Sequence, residues 1–234
     1  MKNLLKILIL LLFPSLLFAQ DKGYTGGFQF KAMIPGAFFT GGPESGTVNN
    51  ILFTNEDKFG YVFGMTIRKK FTNSLAIESG LRFVQRNYLT QIDSLNNSYS
   101  SEIDYRVIGY ELPLKGLITL RASDHSIFIA AFGAQMDLYP SDVYADNRDW
   151  QIEIRRKSWI QGSFLANIGW ELHVENVGYF YGGFSYNQPF SDPFNLVIGT
   201  YNSTFGVTNF GINGRYLSLD FRYYFETKKA GVNR

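Results

Sequence analysis

Only two histidines occur among the 234 residues of this sequence, and this limits the catalytic chemistry that it can support. Hydrolases usually activate their nucleophile with a neighbouring base, most often a histidine. His125 lies in a short turn between two strand-like segments, and His173 lies at the end of another such segment, so both are expected at one end of the fold. The sequence has no cysteine, which excludes thiolate nucleophiles, thiolate metal sites and disulfides. We interpret both histidines as structural.

Acidic residues offer two further candidate sites. Glu102 and Asp104 lie near the end of a strand-like segment, where a carboxylate pair can serve a hydrolase, although paired surface acids are more often solvated. The loop with Asp142, Asp146, Asn147 and Asp149 offers oxygen ligands for Ca²⁺ but lacks the spacing of a calcium loop. The sequence has no glycine-rich phosphate loop and no zinc motif. We therefore predict a protein without catalytic residues, cofactor or metal.

Charged residues inside strand-like segments are more informative, because they alternate with large apolar side chains. Buried charges are costly unless they are paired, and here the two signs nearly balance. We interpret seven of them as ion-pair candidates in the interior of a β-barrel: Glu78, Arg82, Glu111, Lys115, Glu171, Asp220 and Arg222. The same face adds Lys31, Arg68, Arg86 and Asp137. A balanced interior predicts a salt-bridged plug, whereas a selective pore tends to carry an excess of one sign.

The segments that hold these charges show the period of two that is typical of β-strands. In residues 59–68 the odd positions are large and apolar, while the even positions are mostly small or polar. The same alternation predicts about eight strands, which is the smallest closed membrane barrel. The predicted strands cover 27–33, 59–68, 75–86, 108–115, 128–138, 163–172, 179–186 and 217–225.

Connections between these strands alternate between short and long. The short ones lie near Lys70, Ser123 and Glu175, and the long ones lie around Gly42, Asn96, Asp146 and Asn202. Short periplasmic turns and long extracellular loops are typical of outer-membrane barrels. We therefore predict an all-β fold, a closed antiparallel up-and-down transmembrane β-barrel. Soluble sandwiches and lipocalin-like barrels also alternate and remain the alternative.

The N-terminus has the features of a Sec signal peptide. Lys2 and Lys6 precede the apolar run 7–18, and the small residue Ala19 precedes the expected cleavage site. A retained anchor is the alternative, although the run is shorter than the roughly 20 residues of a spanning helix. We predict a signal peptide at 1–19, an outer-membrane barrel at 20–225 and a polar tail at 226–234.

Composition agrees with an exported barrel. Aromatic residues make up 17% of the chain, which has 23 glycines and 7 prolines, and aromatic side chains line the rims of membrane barrels. The formal net charge of +2 is too small to indicate nucleic acid. The expected location is the outer membrane of a Gram-negative cell. The expected partners are outer-membrane lipid and lipopolysaccharide, the barrel-assembly machinery, and unidentified secretion or surface partners.

Three strand segments carry recognisable motifs: Phe-Gly-Tyr-Val-Phe-Gly at 59–64, Leu-Ala-Ile-Glu-Ser-Gly-Leu-Arg-Phe at 75–83 and Tyr-Glu-Leu-Pro-Leu-Lys at 110–115. These segments resemble the PorT-like outer-membrane β-barrel family of the Bacteroidota. The resemblance implies the barrel fold and the outer-membrane location, and the family's namesake assists a protein secretion system. At the residues that match the namesake's His-Phe-Gly start, this chain has Tyr24-Thr25-Gly26-Gly27-Phe28 instead.

The expected function is that of a non-enzymatic barrel with a structural, surface-interaction or secretion-accessory role. A small transport or ligand-binding barrel for a hydrophobic or glycan ligand is the first alternative. An outer-membrane hydrolase is the second.

Overall fold

The computed structural model describes residues 23–35, 42–96, 98–200 and 208–226, so the predicted signal peptide and nearly all of the polar tail lie outside it. Thirteen strands form in these residues: β1 (Tyr24–Ile34), β2 (Glu44–Val48), β3 (Ile51–Lys70), β4 (Leu75–Ser94), β5 (Ser100–Arg121), β6 (Ser126–Leu138), β7 (Val143–Asp146), β8 (Trp150–Arg156), β9 (Ile160–Val174), β10 (Gly178–Pro189), β11 (Phe194–Thr200), β12 (Thr208–Ile212) and β13 (Tyr216–Phe225). No helix in the described part of the chain has the length and apolar character needed to cross a membrane.

Eight strands close into one antiparallel ring in the order β1–β3–β4–β5–β6–β9–β10–β13. Strand β1 completes the ring because it pairs with β3 along one edge and with β13 along the other. Phe28, for example, lies opposite Met65 of β3 and Tyr223 of β13. The structure confirms the predicted closed antiparallel barrel of eight strands.

The outer face of the ring carries a continuous apolar belt. Phe63, Leu81 and Phe221 are 51%, 46% and 52% exposed. Neighbouring aromatic side chains are in contact, and the ring centroids of Phe63 and Phe83 are 5.2 Å apart. An exposed apolar surface of this extent is unfavourable in water and favourable in a bilayer. The alternation in the sequence therefore reflects a wall with an apolar outside and a polar inside.

Three strands continue well beyond this belt. Strands β3, β4 and β5 have 20, 20 and 22 residues, whereas about ten residues of a tilted strand span a bilayer. We call the end of the barrel away from the short turns its upper end. There, the extensions of β3, β4 and β5 form a second level, together with β2 and the four-stranded sheet β12–β11–β8–β7, and we call this level the upper tier. The belted part of the ring is the lower tier. The segment around Asp146, predicted as a long loop, is largely built of the short strands β7 and β8.

The two tiers have different interiors. The upper tier encloses an apolar core that includes Phe53, Ile92, Trp150, Ile152 and Leu196. The lower tier encloses the charged side chains described below. The sequence analysis did not predict the apolar core.

Candidate functional site: the charged interior of the barrel

All eleven charged side chains that the alternation assigned to the inner face lie inside the lower tier, and none is more than 4% exposed. They include the seven ion-pair candidates Glu78, Arg82, Glu111, Lys115, Glu171, Asp220 and Arg222. Six of the eleven are basic and five are acidic. Such groups are tolerated in a narrow interior only when each finds partners of opposite charge or hydrogen-bond partners.

Glu78 on β4 is the centre of the network. Its carboxylate lies 2.6 Å from Nζ of Lys115, 3.0 Å from Nη1 of Arg222 and 3.2 Å from Nε of Arg68. The hydroxyl of Tyr224 also donates to it. These partners come from β3, β5 and β13, so one carboxylate connects four strands of the ring.

Other contacts cross the full width of the barrel. Nη1 of Arg68 on β3 lies 2.6 Å from Oε2 of Glu171 on β9, and these strands are four apart in the eight-stranded ring. The hydroxyl of Tyr216 on β13 donates to Oε1 of Glu111 at 2.8 Å, again four strands away. Glu111 also lies 3.5 Å from Nη1 of Arg82. Opposite walls are therefore tied together through the middle.

Asp220 is held by one charged partner and by neutral donors. It pairs with Arg222 and accepts hydrogen bonds from Nε2 of Gln29 at 2.6 Å and from the hydroxyl of Ser185 at 2.7 Å. The sequence analysis did not single out Gln29, Ser185 or the interior tyrosines as partners. Their signal was present, because they share the inward phase of the alternation with the charged residues.

An aromatic and aliphatic cluster adjoins the charges inside the barrel. Leu117, Ile129, Tyr181 and Tyr224 are all buried there. The ring of Tyr181 covers the facing pair Gly169 and Gly183, whose missing side chains leave the space that it fills. Glycine pairs covered by an aromatic ring recur in sheets that must curve. The charged network and this cluster together fill the interior of the lower tier.

The residues considered for catalysis lie elsewhere. The backbone N–H of His173 donates to the carbonyl of His125 at 2.8 Å, which places both histidines at the short-turn end of the barrel. Asp104 pairs with Lys58 at 3.1 Å on the outer surface, and both are exposed. In the described ranges, no cluster of three or more His, Cys, Asp or Glu side chains has an arrangement that could hold a metal ion.

One carboxylate of the upper tier has an altered acidity. Glu44 on β2 accepts the backbone N–H of Asn213, next to the end of β12, and lies 3.4 Å from Nδ2 of Asn55. Burial disfavours its charged form and raises its pKa to about 7, and the nearby carboxylates Asp57 and Asp192 act in the same direction. The contact between β2 and β12 therefore includes a group that titrates near neutral pH.

Among the comparisons with known proteins, the one with solved structures supports the fold. No protein-family model matches the sequence, and no curated protein is significantly similar to it. The structure is similar to the outer membrane protein OprG from Pseudomonas aeruginosa, with a TM-score of 0.57 and 12% identity over 87% of this chain and 96% of that one. The outer membrane protease OmpT from Escherichia coli matches with a TM-score of 0.30 and 9% identity, over 86% of this chain and 93% of that one. An outer membrane channel from Pseudomonas putida F1 matches with a TM-score of 0.27 and 10% identity, over 87% of this chain and 95% of that one.

The similarity to the structure of OprG supports the fold assignment. The chain is a closed antiparallel transmembrane β-barrel of the architecture found in outer-membrane proteins.

Proposed function

We propose that this protein is a non-enzymatic outer-membrane barrel whose lower tier is a closed plug and whose upper tier serves surface interaction. The observation that supports the plug is the network around Glu78, which joins four strands, together with the two contacts that reach opposite walls. A conducting pore needs a hydrated path, and ionic side chains bonded across the lumen occupy that path.

The proposed location is the outer membrane, with lipid and lipopolysaccharide around the belt and the barrel-assembly machinery as a partner during insertion. Supporting this proposal are the apolar belt and the N-terminal features of a Sec signal peptide at 1–19. Membership of the PorT-like family belongs to the same proposal and is supported by the motifs at 59–64, 75–83 and 110–115. Recovery of the protein in the outer-membrane fraction, with heat-modifiable gel mobility, is the expected result.

The upper tier supports the interaction role. It extends β3, β4 and β5 far past the belt and fills its interior with an apolar core, so it forms a rigid body that stands above the bilayer. The filled interior of the upper tier would block the exit of a channel, so this tier does not suit a conducting role. It suits a platform that presents a surface to partner proteins.

Conductance in planar bilayers tests the plug. The purified protein is expected to give no stable channels under conditions in which a porin reconstituted in parallel conducts. Stable single-channel currents of large size from the intact protein would refute the plug and favour the transport alternative.

A further inference from the structure

The apolar belt contains a groove on the side of the barrel where β9, β10, β13 and β1 are neighbours. Two rows of outward-facing residues border it, and each row follows the register of the four strands. The row nearer the upper end consists of Trp170, Gly182, Phe221 and Phe30, and the lower row consists of Leu172, Phe180, Tyr223 and Phe28. We call the space between the two rows the belt groove, and its volume is about 590 Å³.

The belt groove has a linear shape and an apolar lining. Its floor is the backbone of Gln29, Tyr181 and Arg222, whose side chains are buried inside the barrel. These three residues lie in paired stretches of their strands, so the floor belongs to the sheet itself. Four strands about 4.8 Å apart give the groove a length of roughly 14 Å, and rows two residues apart along a strand are separated by roughly 7 Å. Such dimensions fit an extended hydrocarbon chain.

Gly182 opens the upper row. A Cβ atom at this position would meet no atom within 4 Å, so the missing side chain leaves real space between Trp170 and Phe221. Trp170 does not fill this space, because its indole Nε1 donates to the hydroxyl of Ser126 on β6. Strand β6 lies on the side of β9 away from Gly182.

Tyr223 holds the lower row away from the upper one. Its hydroxyl donates to the carbonyl oxygen of Val177 at 2.7 Å, and Val177 lies in the short turn before β10. The ring of Phe180 follows, with its centroid 5.1 Å from that of Tyr223. The rings of this row are therefore directed toward the short turns, and specific contacts keep the belt groove open.

The depth of the belt groove places it among acyl chains. Strand β9 ends at Val174, β10 begins at Gly178 and β13 ends at Phe225, so the upper row lies about four residues from the short-turn end of each strand. Four residues of a tilted strand cover at most about 13 Å, which is within the roughly 15 Å of hydrocarbon in one leaflet. Inside a bilayer, association depends on van der Waals packing, and glycine permits the close approach that such packing needs.

We propose that the belt groove binds one acyl chain of a phospholipid from the leaflet at the short-turn end of the barrel. The occupant is a linear chain because the space between the rows is long and narrow and its lining is apolar. A fused-ring lipid is too wide for it. This site is separate from the surface-interaction role of the upper tier, and it gives the barrel a lipid that stays bound while its neighbours exchange.

Quenching of Trp170 tests the proposal, because bromine atoms quench tryptophan on contact. Trp150→Phe and Trp159→Phe together leave Trp170 as the only tryptophan of the chain. This protein is titrated with a phospholipid that carries bromine on its acyl chains, in micelles of a bile-salt detergent whose fused rings do not enter the groove. Half-quenching is expected at a mole fraction about tenfold lower than in a variant without the groove, because roughly ten additional atom contacts stabilise a seated chain by that factor.

Two glycine substitutions supply the comparison. Gly182→Phe completes the upper row and is expected to shift half-quenching to the higher mole fraction. Gly116→Phe is the matched control, because Gly116 also faces outward, lies three strands away on β5, and has only the carbonyl oxygen of Phe132 within 4 Å of a Cβ atom, at 3.9 Å. It should bind the brominated lipid like the parent protein. Heat-modifiable mobility checks that each variant folds.

Electron paramagnetic resonance of a spin-labelled phospholipid gives the same decision without the tryptophan substitutions. Gly182→Phe in vesicles should have about one motionally restricted lipid fewer per barrel than the wild type, and Gly116→Phe should have the same number. This readout also separates loss of the lipid from direct shielding of Trp170 by the new ring.

Three results would overturn the proposal: equal half-quenching in Gly182→Phe and the parent protein, an equal loss in both glycine variants, or an unchanged number of restricted lipids in Gly182→Phe. Energy transfer between two labelled copies that disappears in Gly182→Phe would also overturn it and assign the groove to a second barrel. Recovery in the outer-membrane fraction and the absence of conductance are independent of these results, so failure here is distinguishable from failure of the proposed function.

Discussion

Removing the charge of Glu78 is the most direct perturbation of the plug. In a Glu78→Gln variant, Arg68 keeps Glu171 and Arg222 keeps Asp220, but Lys115 loses the carboxylate 2.6 Å away. The interior balance of six basic and five acidic groups becomes less even. Removing one partner of a buried ion pair costs about 3–5 kcal/mol, because the charge of the other partner is left uncompensated. We expect the free energy of unfolding to fall by about that amount.

A second substitution separates charge from packing. If uncompensated charge is the cause, adding Lys115→Met to Glu78→Gln removes the orphaned ammonium while keeping a side chain of similar length. Replacing both members of a buried pair by neutral groups is often close to neutral. The double variant should therefore regain at least about 2 kcal/mol over Glu78→Gln, within the range of coupling between contacting residues.

Urea unfolding in lipid vesicles, followed by tryptophan fluorescence and by gel mobility, measures these differences. Asp124→Asn is the matched control, because Asp124 pairs with Arg121 at the surface with both side chains well exposed, and no measurable change is expected. The reasoning fails if Glu78→Gln is as stable as the wild type, or if the double variant is no more stable than the single one.

Three other predictions concern the belt, the curvature of the wall and the upper tier. Leu81→Arg places a cation in the apolar belt and is expected to cost about 2–4 kcal/mol of unfolding free energy in vesicles; an unchanged value would contradict a lipid-facing belt. Gly183→Val should destabilise by about 1–3 kcal/mol, because a Cβ atom there would lie 2.3 Å from the carbonyl oxygen of Ile168, whereas Gly182→Ala meets no atom within 4 Å and should fold normally. Glu44 has its pKa raised to about 7 in the fold, so its contribution to stability is complete at low pH and is lost as the pH rises through that value. Amide exchange in β2, corrected for its intrinsic pH dependence, should therefore accelerate between pH 4.5, the ordinary carboxyl pKa, and about pH 7 in the wild type, level off above pH 7, and not change in this way in Glu44→Gln.

The sequence predicted the lower tier well because a single rule governs it. One face of each strand is in contact with lipid, and the other is in contact with polar side chains from the same ring of strands. Apolar and polar residues therefore alternate regularly along each strand. In β4 this places Arg82 and Arg86 inside. Two residues further, Tyr88 keeps the same inward phase but belongs to an apolar core, so the polarity of the inner face reverses while the period continues. Periodicity alone does not show such a change.

A shift in the register of β3 is a second feature that the sequence pattern does not predict. An irregularity between Lys58 and Tyr61 shifts the pairing of β3 with β4, so inward positions change from odd to even along one strand. The short strands of the upper tier did carry a signal, because Trp150, Ile152 and Ile154 alternate with polar residues. Four to seven residues among Gly, Asn and Asp also fit a loop, and only the tertiary contacts decide between the two.

The contacts across the lumen have a consequence for how the chain is assembled. Strand β13 is the last strand in the described residues and closes the ring between β1 and β10. It carries Tyr216, Asp220, Arg222 and Tyr224. Until β13 is in place, Glu78 and Glu111 lack these partners, and an open sheet entering the bilayer would expose ionised groups to hydrocarbon. We therefore expect the nascent wall to stay hydrated on its concave side until β13 arrives, and we expect insertion and closure to occur as one concerted event.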